Sequence, residues 1–137
     1  MSTLEESKAA IIEEFSMFDE WLDKYEYLIE MGKNLAVFPV ELKTDDRLIK
    51  GCQSRVWLDT RVEDGRLWFR ADSDAIITKG IISLLVRVYD GCTPAEIVSD
   101  SFDFIEKIGL RENLSPTRAG GLNSMIEKIK EEAKRNV

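Results

Sequence analysis

Histidine is missing from all 137 residues. Its absence excludes Ser-His-Asp and Cys-His nucleophile pairs within the chain, and every zinc site that uses an imidazole. Cysteine is scarce as well, with Cys52 and Cys92 only. Two thiols cannot build a four-cysteine zinc site, and they fall short of the about three ligands that a cluster scaffold needs. The chain therefore carries no metal set of its own. No basic run occurs and the net charge is -7. Nucleic-acid binding rests on clustered Lys and Arg against phosphate, so a nucleic-acid partner is not expected. No apolar stretch approaches the roughly 20 residues that span a bilayer, so no membrane partner is expected either. Residues 1–14 are acidic and helical in pattern, unlike the basic head and apolar middle of a signal peptide. The expected compartment is cytoplasmic, where both cysteines are reduced thiols and a Cys52–Cys92 disulfide is disfavoured.

What is present suits one domain over 1–137. The chain is 44% hydrophobic and 33% charged. At this length it can bury roughly two-thirds of its unfolded surface and so build a core without metals or disulfides. Thr3 and Glu6 have capping-box spacing ahead of Ile11, Ile12 and Phe15. Ser16 and Asp19 start a second helix more weakly, and Trp21, Leu22, Tyr25, Leu28 and Ile29 form its apolar stripe, with Gly32 as a stop. Pro39 and the charged stretch 43–47 predict a long loop, interrupted at Leu48 and Ile49 by a short strand.

From Ser54 the pattern alternates. Val56, Leu58, Thr60 and Val62 share one face, with Arg55, Trp57, Asp59 and Arg61 on the other. Asp64-Gly65 is a hairpin signal, and Leu67, Phe69 and Ala71 lie on one face of the return strand. Asp72 and Ser73 are suitable caps for a largely apolar helix from Asp74 to Tyr89, which predicts a central buried helix. Thr93-Pro94 opens a short helix, Phe102–Ile108 a helical piece closed by Gly109, and Ser115-Pro116 the last helix, with Leu122, Met125, Ile126 and Ile129 inward. The class is α+β, helices packed on a small antiparallel sheet.

One segment carries chemistry. Cys52 lies in Lys50-Gly51-Cys52-Gln53-Ser54, between the loop and the first strand. Gly51 permits unusual backbone angles and close approach of a partner. Gln53 and Ser54 offer hydrogen bonds beside the sulfur. From the residues alone, Cys52 is either a small core side chain, the commonest fate of a free cysteine, or a reactive loop thiol. Segment 43–70 holds seven basic residues against five acidic ones. That balance favours a thiolate or steers an acidic partner, or is simply a solvated strand face. Cys92 is explained by capping and packing.

Two further residues stand out by position. Asp74 follows the hairpin at a helix N-terminus, where its carboxylate is stabilised. Arg118 falls in the first turn of the last helix, where a cation opposes the helix dipole, which points to a partner or an ion pair, or else to plain solvation.

Gly51-Cys52-Gln53-Ser54-Arg55-Val56-Trp57 resembles the Gly-Cys-Gln-Ser-x-Val-Trp signature of SufE-type sulfur acceptors. Trp21–Ile29, Asp72–Gly80, Thr93–Val98 and Leu114–Leu122 resemble further blocks of that family, in the same order. The resemblance implies a fold shared with IscU-type scaffolds, a three-stranded antiparallel sheet packed with helices. It also implies a role. A PLP-dependent cysteine desulfurase, SufS- or CsdA-like, holds sulfur as a persulfide; Cys52 attacks it, stimulates the desulfurase and relays sulfur to a scaffold for iron–sulfur cluster assembly. A CsdE-like paralogue, feeding another pathway such as tRNA modification, shares the same motifs. On either reading the PLP belongs to the desulfurase, the chain itself holds no cofactor, and it is a carrier and activator rather than an enzyme. The contact surface is expected around Gly51, Cys52 and Gln53, with Asp74 and Arg118 outside the loop. Protection of a persulfide from oxidation calls for an apolar shelter at Cys52 that opens on docking.

Overall fold

A computed structural model describes residues 3–137. Among the described residues the helical segments become six α-helices: α1 (Leu4–Ser16), α2 (Trp21–Lys33), α3 (Ile76–Tyr89), α4 (Pro94–Ser99), α5 (Phe104–Lys107) and α6 (Pro116–Arg135). Between α2 and α3 lie two 3-10 turns (Val40–Leu42 and Asp45–Arg47) and a hairpin of β1 (Val56–Glu63) and β2 (Arg66–Ser73). A third 3-10 turn, Arg111–Asn113, precedes α6.

The hairpin forms where the alternation breaks at Asp64-Gly65. Both residues have positive φ, 55° and 73°, the twist that two-residue hairpin loops require. Val56 pairs with Ser73 and Glu63 with Arg66. Val56, Leu58, Leu67, Phe69 and Ala71 turn inward onto α3, whose Ile81, Ile82, Leu84, Leu85 and Val88 are all buried. Helix α3 is thus the central element, with α2, α1, α6 and the hairpin packed around it.

The three-stranded sheet implied by the family likeness is corrected here. Among the described residues the sheet has two strands, each extended at its outer edge by one isolated bridge, Leu48 to Trp57 and Cys92 to Leu67. The short strand expected at Leu48–Ile49 shrinks to that bridge, with Ile49 N–H donating to Val56 O at 2.8 Å. The reason is local. Pro39 has no N–H to give to a ladder. Thr44 hydrogen-bonds Asp46 through its side chain, and Arg47 N–H returns to Thr44 O at 3.1 Å, so the segment coils instead of extending.

Other expectations shift by a turn. Asp72 and Ser73 complete β2 rather than cap α3, which begins at Ile76. Gly32 lies inside α2 instead of ending it: a Cβ there would meet the backbone N of Gly80 at 2.9 Å. The two glycines mark where α2 and α3 cross. Leu22 is 70% exposed, so the apolar stripe of α2 is narrower than its spacing predicts. Val62, at the hairpin tip, is 52% exposed, whereas Trp57 on the outer face is buried, with the Lys43 ammonium 5.1 Å from its ring. Thr3, Thr93 and Ser115 cap α1, α4 and α6 as expected, and Thr93 with Glu96 forms a full capping box.

Candidate functional site

Cys52 occupies the last bend before β1. Gly51 turns the chain there with φ 92°, a conformation that suits glycine and strains other residues. The turn drives the Cys52 side chain against α6, where its thiol donates to the carbonyl of Gly121 at 3.5 Å. The thiol is half-buried and unpaired. Burial pushes its pKa above the ordinary thiol value. In this conformation Cys52 is a protonated thiol, a weak nucleophile.

The basic residues around it do not reverse that. Arg47 and Arg70 both bind Asp59, at 3.0 and 2.6 Å. Lys43 and Lys79 both bind Asp72, at 3.0 and 3.2 Å. Burial alone would raise both carboxyl pKa values, but these hydrogen bonds outweigh it and hold them below the usual carboxylate range. Arg66 reaches the carbonyl of Gly91 at 2.8 Å. Lys50 and Arg55, the cations nearest Cys52 in sequence, are exposed. The local excess of positive charge is therefore spent on strand-face ion pairs or solvated, and the thiolate that it suggests is not the resting form.

The structure draws Asp74 to the exit of the Cys52 loop. Its carboxylate accepts the backbone N–H of Arg55 at 3.0 Å, and its own N–H donates to Arg55 O at 3.2 Å. Ser73 Oγ also donates to Arg55 O, at 2.8 Å. Three hydrogen bonds from 73–74 thus hold the backbone three residues past Cys52. Arg118 is exposed, one turn before Gly121, and forms no ion pair among the described residues. Gln53 is exposed at the loop. Gly51, Gln53 and Asp74 are thereby gathered at the loop, and Arg118 lies on the helix against which the loop rests.

Residues that sequence reasoning missed come from α6. Gly121 is buried, and a Cβ there would lie 3.6 Å from Cys52 Sγ. Ser124 lies against Gly51. The available signal was the Gly120-Gly121 pair inside a helix, where glycine is unfavourable by about 1 kcal/mol relative to alanine. A polar cleft of about 720 Å³ opens beside the loop, with Asp45, Asp46, Lys50, Ser124, Glu127 and Glu131 among its walls.

The second thiol is different. Cys92 is 5% exposed, its Sγ faces Val88 O at 3.8 Å, and burial pushes its pKa up to about 11. Its backbone carbonyl holds Leu67 N–H at 2.8 Å, so Cys92 belongs to the sheet edge. A second, mainly apolar cleft of about 430 Å³ between α2, α3 and β2 contains no cysteine. Its arginines are already engaged, Arg70 with Asp59 and Arg87 with Glu14.

Residues 9–133 match the family described as SufE, an Fe-S metabolism associated domain. The chain is 44% identical over 128 residues to an uncharacterised SufE-like protein of Rhizobium meliloti, covering 90% of this chain and 91% of that one. It is 39% identical over 117 residues to the sulfur acceptor protein CsdE of Escherichia coli, covering 84% and 80%. A solution structure of a hypothetical protein from Thermus thermophilus shares the fold, with a TM-score of 0.78 over 95% of both chains at 19% identity. No helix among the described residues is long and apolar enough to cross a membrane. A family match across most of the chain and relatives of this identity lead to one conclusion: the chain belongs to the SufE family.

Proposed function

We propose that this chain, as a single SufE-like domain in a reducing cytoplasm, accepts sulfur on Cys52 from a PLP-dependent cysteine desulfurase and relays it to iron–sulfur cluster assembly. The Cys52 thiol first gives up its proton. Its thiolate attacks the outer sulfur of the desulfurase's cysteine persulfide, forming a new S–S bond at Cys52 as the donor's S–S bond breaks. The desulfurase cysteine leaves as a thiolate, so no external oxidant or reductant is consumed. Freed of its persulfide, the desulfurase begins a new turnover, and the chain acts as carrier and activator rather than as an enzyme.

The observation that carries this reading is the contrast between two thiols. Cys52 is half-exposed on a glycine-flanked loop, whereas Cys92 is sealed beneath the sheet edge. Gly51, Gln53, Asp74 and Arg118 are the contact residues on this reading: Gly51 and Gln53 flank Cys52 in the loop, Asp74 holds the loop exit at Arg55, and Arg118 lies exposed on the helix against which the loop rests. A second variant of the reading, in which the sulfur goes to a different acceptor pathway, takes the same step at Cys52. The step at Cys52, common to both variants, is tested by incubating the chain with its genomic desulfurase and cysteine, measuring sulfide release and mapping the sulfur adduct by peptide mass. An adduct on Cys52 with raised sulfide release supports the reading; an adduct on Cys92 alone, or no adduct, overturns it.

A further inference from the structure

The outer edge of β2 is closed at one end. Leu67 N–H donates to Cys92 O at 2.8 Å, and Gly91 N–H donates to Leu67 O at 2.7 Å. A strand turns the N–H and C=O of every second residue to the same edge, and the register of β2 with β1 runs without a break. The backbone groups of Phe69 and Ala71 therefore face the same way as those of Leu67. The Phe69 N–H is held by the Asp90 carboxylate at 2.7 Å. Beyond it the edge is open: among the described residues, the Phe69 carbonyl and the N–H and carbonyl of Ala71 have no partner. Yet Ala71 is 2% exposed, and buried backbone groups are almost always paired. Phe69 and Ala71 line the cleft of about 430 Å³ between α2, α3 and β2, a volume within the ordinary range of ligand pockets. Met31 and Leu35 of α2 and Val86 of α3 make its other walls apolar. Its rim is uneven in charge. Arg70 and Arg87 are taken up by Asp59 and Glu14, and Glu30 has Lys33 at 3.5 Å. Asp90 forms no ion pair among the described residues and holds the Phe69 N–H, so the charge left over at the rim is negative.

We propose that this cleft docks an extended peptide segment of a protein partner, which adds a strand to the open edge of β2, seats an aliphatic side chain against Met31, Leu35 and Val86, and sets a Lys or Arg beside Asp90. The proposal does not rest on the role of Cys52. In strand addition, backbone hydrogen bonds supply affinity and alternate side chains supply specificity. The order of side chains follows from the edge. The residue opposite Ala71 exchanges both hydrogen bonds with it and points its side chain to the same, inner face as Ala71, so that residue is the aliphatic one. In an antiparallel segment the residue two further on lies opposite Phe69. It donates its N–H to the free Phe69 carbonyl and comes level with Asp90, so it is the cation. The residue between them points outward, beside Arg70. A bare aliphatic ligand would fill the apolar walls and leave three backbone groups unpaired, whereas an amide chain matches both. The edge is also one that a folded protein does well to cover, since unpaired strand edges recruit other chains.

The test uses the full chain, labelled with nitrogen-15, and the blocked peptide acetyl-Thr-Leu-Thr-Lys-amide as probe. Titration followed by NMR should shift the amide resonances of Ala71 and of the α3 residues around Val86, and the shifts should saturate. The same peptide with a methyl group on the leucine nitrogen cannot donate to the Ala71 carbonyl, and should bind about fivefold more weakly or worse. Asp90→Asn keeps an acceptor for the Phe69 N–H and removes the charge. It should weaken the lysine peptide about threefold, as an exposed ion pair does, and leave a peptide with norleucine in place of lysine unchanged. Met31→Trp, at a half-buried wall position, fills the cleft and should abolish binding. The proposal is overturned if no saturable shift reaches Ala71, which would leave the cleft to water. It is equally overturned if the N-methyl peptide binds like the parent peptide, if Asp90→Asn does not discriminate the two side chains, or if folded Met31→Trp still binds. Should Met31→Trp fail to fold, the N-methyl peptide and Asp90→Asn decide the matter.

Discussion

Serine in place of each cysteine makes the same chemical change at two depths, and the structure assigns the two variants opposite outcomes. At Cys92 the sulfur is 5% exposed, within the main core. A hydroxyl there is buried in an apolar site, which costs about 1–3 kcal/mol, less if it donates to the Val88 carbonyl that Cys92 Sγ now faces. A domain of this kind has about 5–15 kcal/mol of stability. Even the pessimistic difference, about 2 kcal/mol, leaves more than roughly nine-tenths of the chain folded at 25 °C. Cys92→Ser should therefore melt several degrees lower yet keep most of its stimulation of the desulfurase. At Cys52 the side chain is half-exposed and the change in burial is small, so Cys52→Ser should melt close to the parent and lose stimulation entirely. The assay is sulfide release by the desulfurase at 25 °C, beside thermal melting by circular dichroism. A folded Cys92→Ser without stimulation, or a Cys52→Ser that still stimulates, would refute the assignment.

Three further outcomes follow from particular contacts. Cys92 has a folded pKa raised from 9.0 to about 11. Between those values the unfolded thiol ionises while the folded one does not, so its contribution is present below the lower value and is lost as pH rises through the upper. The loss reaches about 3 kcal/mol at most, and urea unfolding from pH 8 to 11 should show a shallower decline in Cys92→Ala than in the parent. At the α2–α3 crossing, a Cβ on Gly80 would lie 2.5 Å from Leu28 O, a backbone atom that cannot swing away. Overpacking of about 1–3 kcal/mol exceeds the about 1 kcal/mol gained in helix propensity, so Gly80→Ala should lower Tm by a few degrees, and a raised Tm would contradict the crossing. Charge reversal at the proposed contact residues, Asp74→Arg and Arg118→Glu, should weaken binding to the desulfurase in titration calorimetry. If both variants fold and bind like the parent, neither residue belongs to the contact surface.

Much of this protein is determined locally and could be read from the chain. The hairpin lies where Asp64-Gly65 interrupts a period of two, the three capped helices begin at Thr3, Thr93 and Ser115, and α3 is central because its apolar residues run nearly all round it. These features depend on neighbours within a few residues, where spacing and intrinsic geometry decide the outcome. Cys52 was singled out by the family likeness of its motif; the residues alone left it open between a core side chain and a reactive thiol. What needed the tertiary structure were the pairings between distant segments. Gly32 reads as a helix stop in sequence, but the crossing with Gly80 makes it a packing contact inside α2. The basic excess around Cys52 suggests a thiolate, but Asp59 and Asp72 take up its cations, and burial on α6 keeps the thiol protonated. The segment before Cys52 reads as a loop with a short strand at Leu48–Ile49, but Thr44 and Asp46 satisfy it locally, and it meets β1 only through the Leu48–Trp57 bridge and the Ile49 N–H on Val56 O. Nor does any spacing reveal that Gly121, 69 residues beyond Cys52, forms its seat. Long-range contacts are fixed by which surfaces remain to be covered once local structure has formed, and a linear pattern carries little record of them.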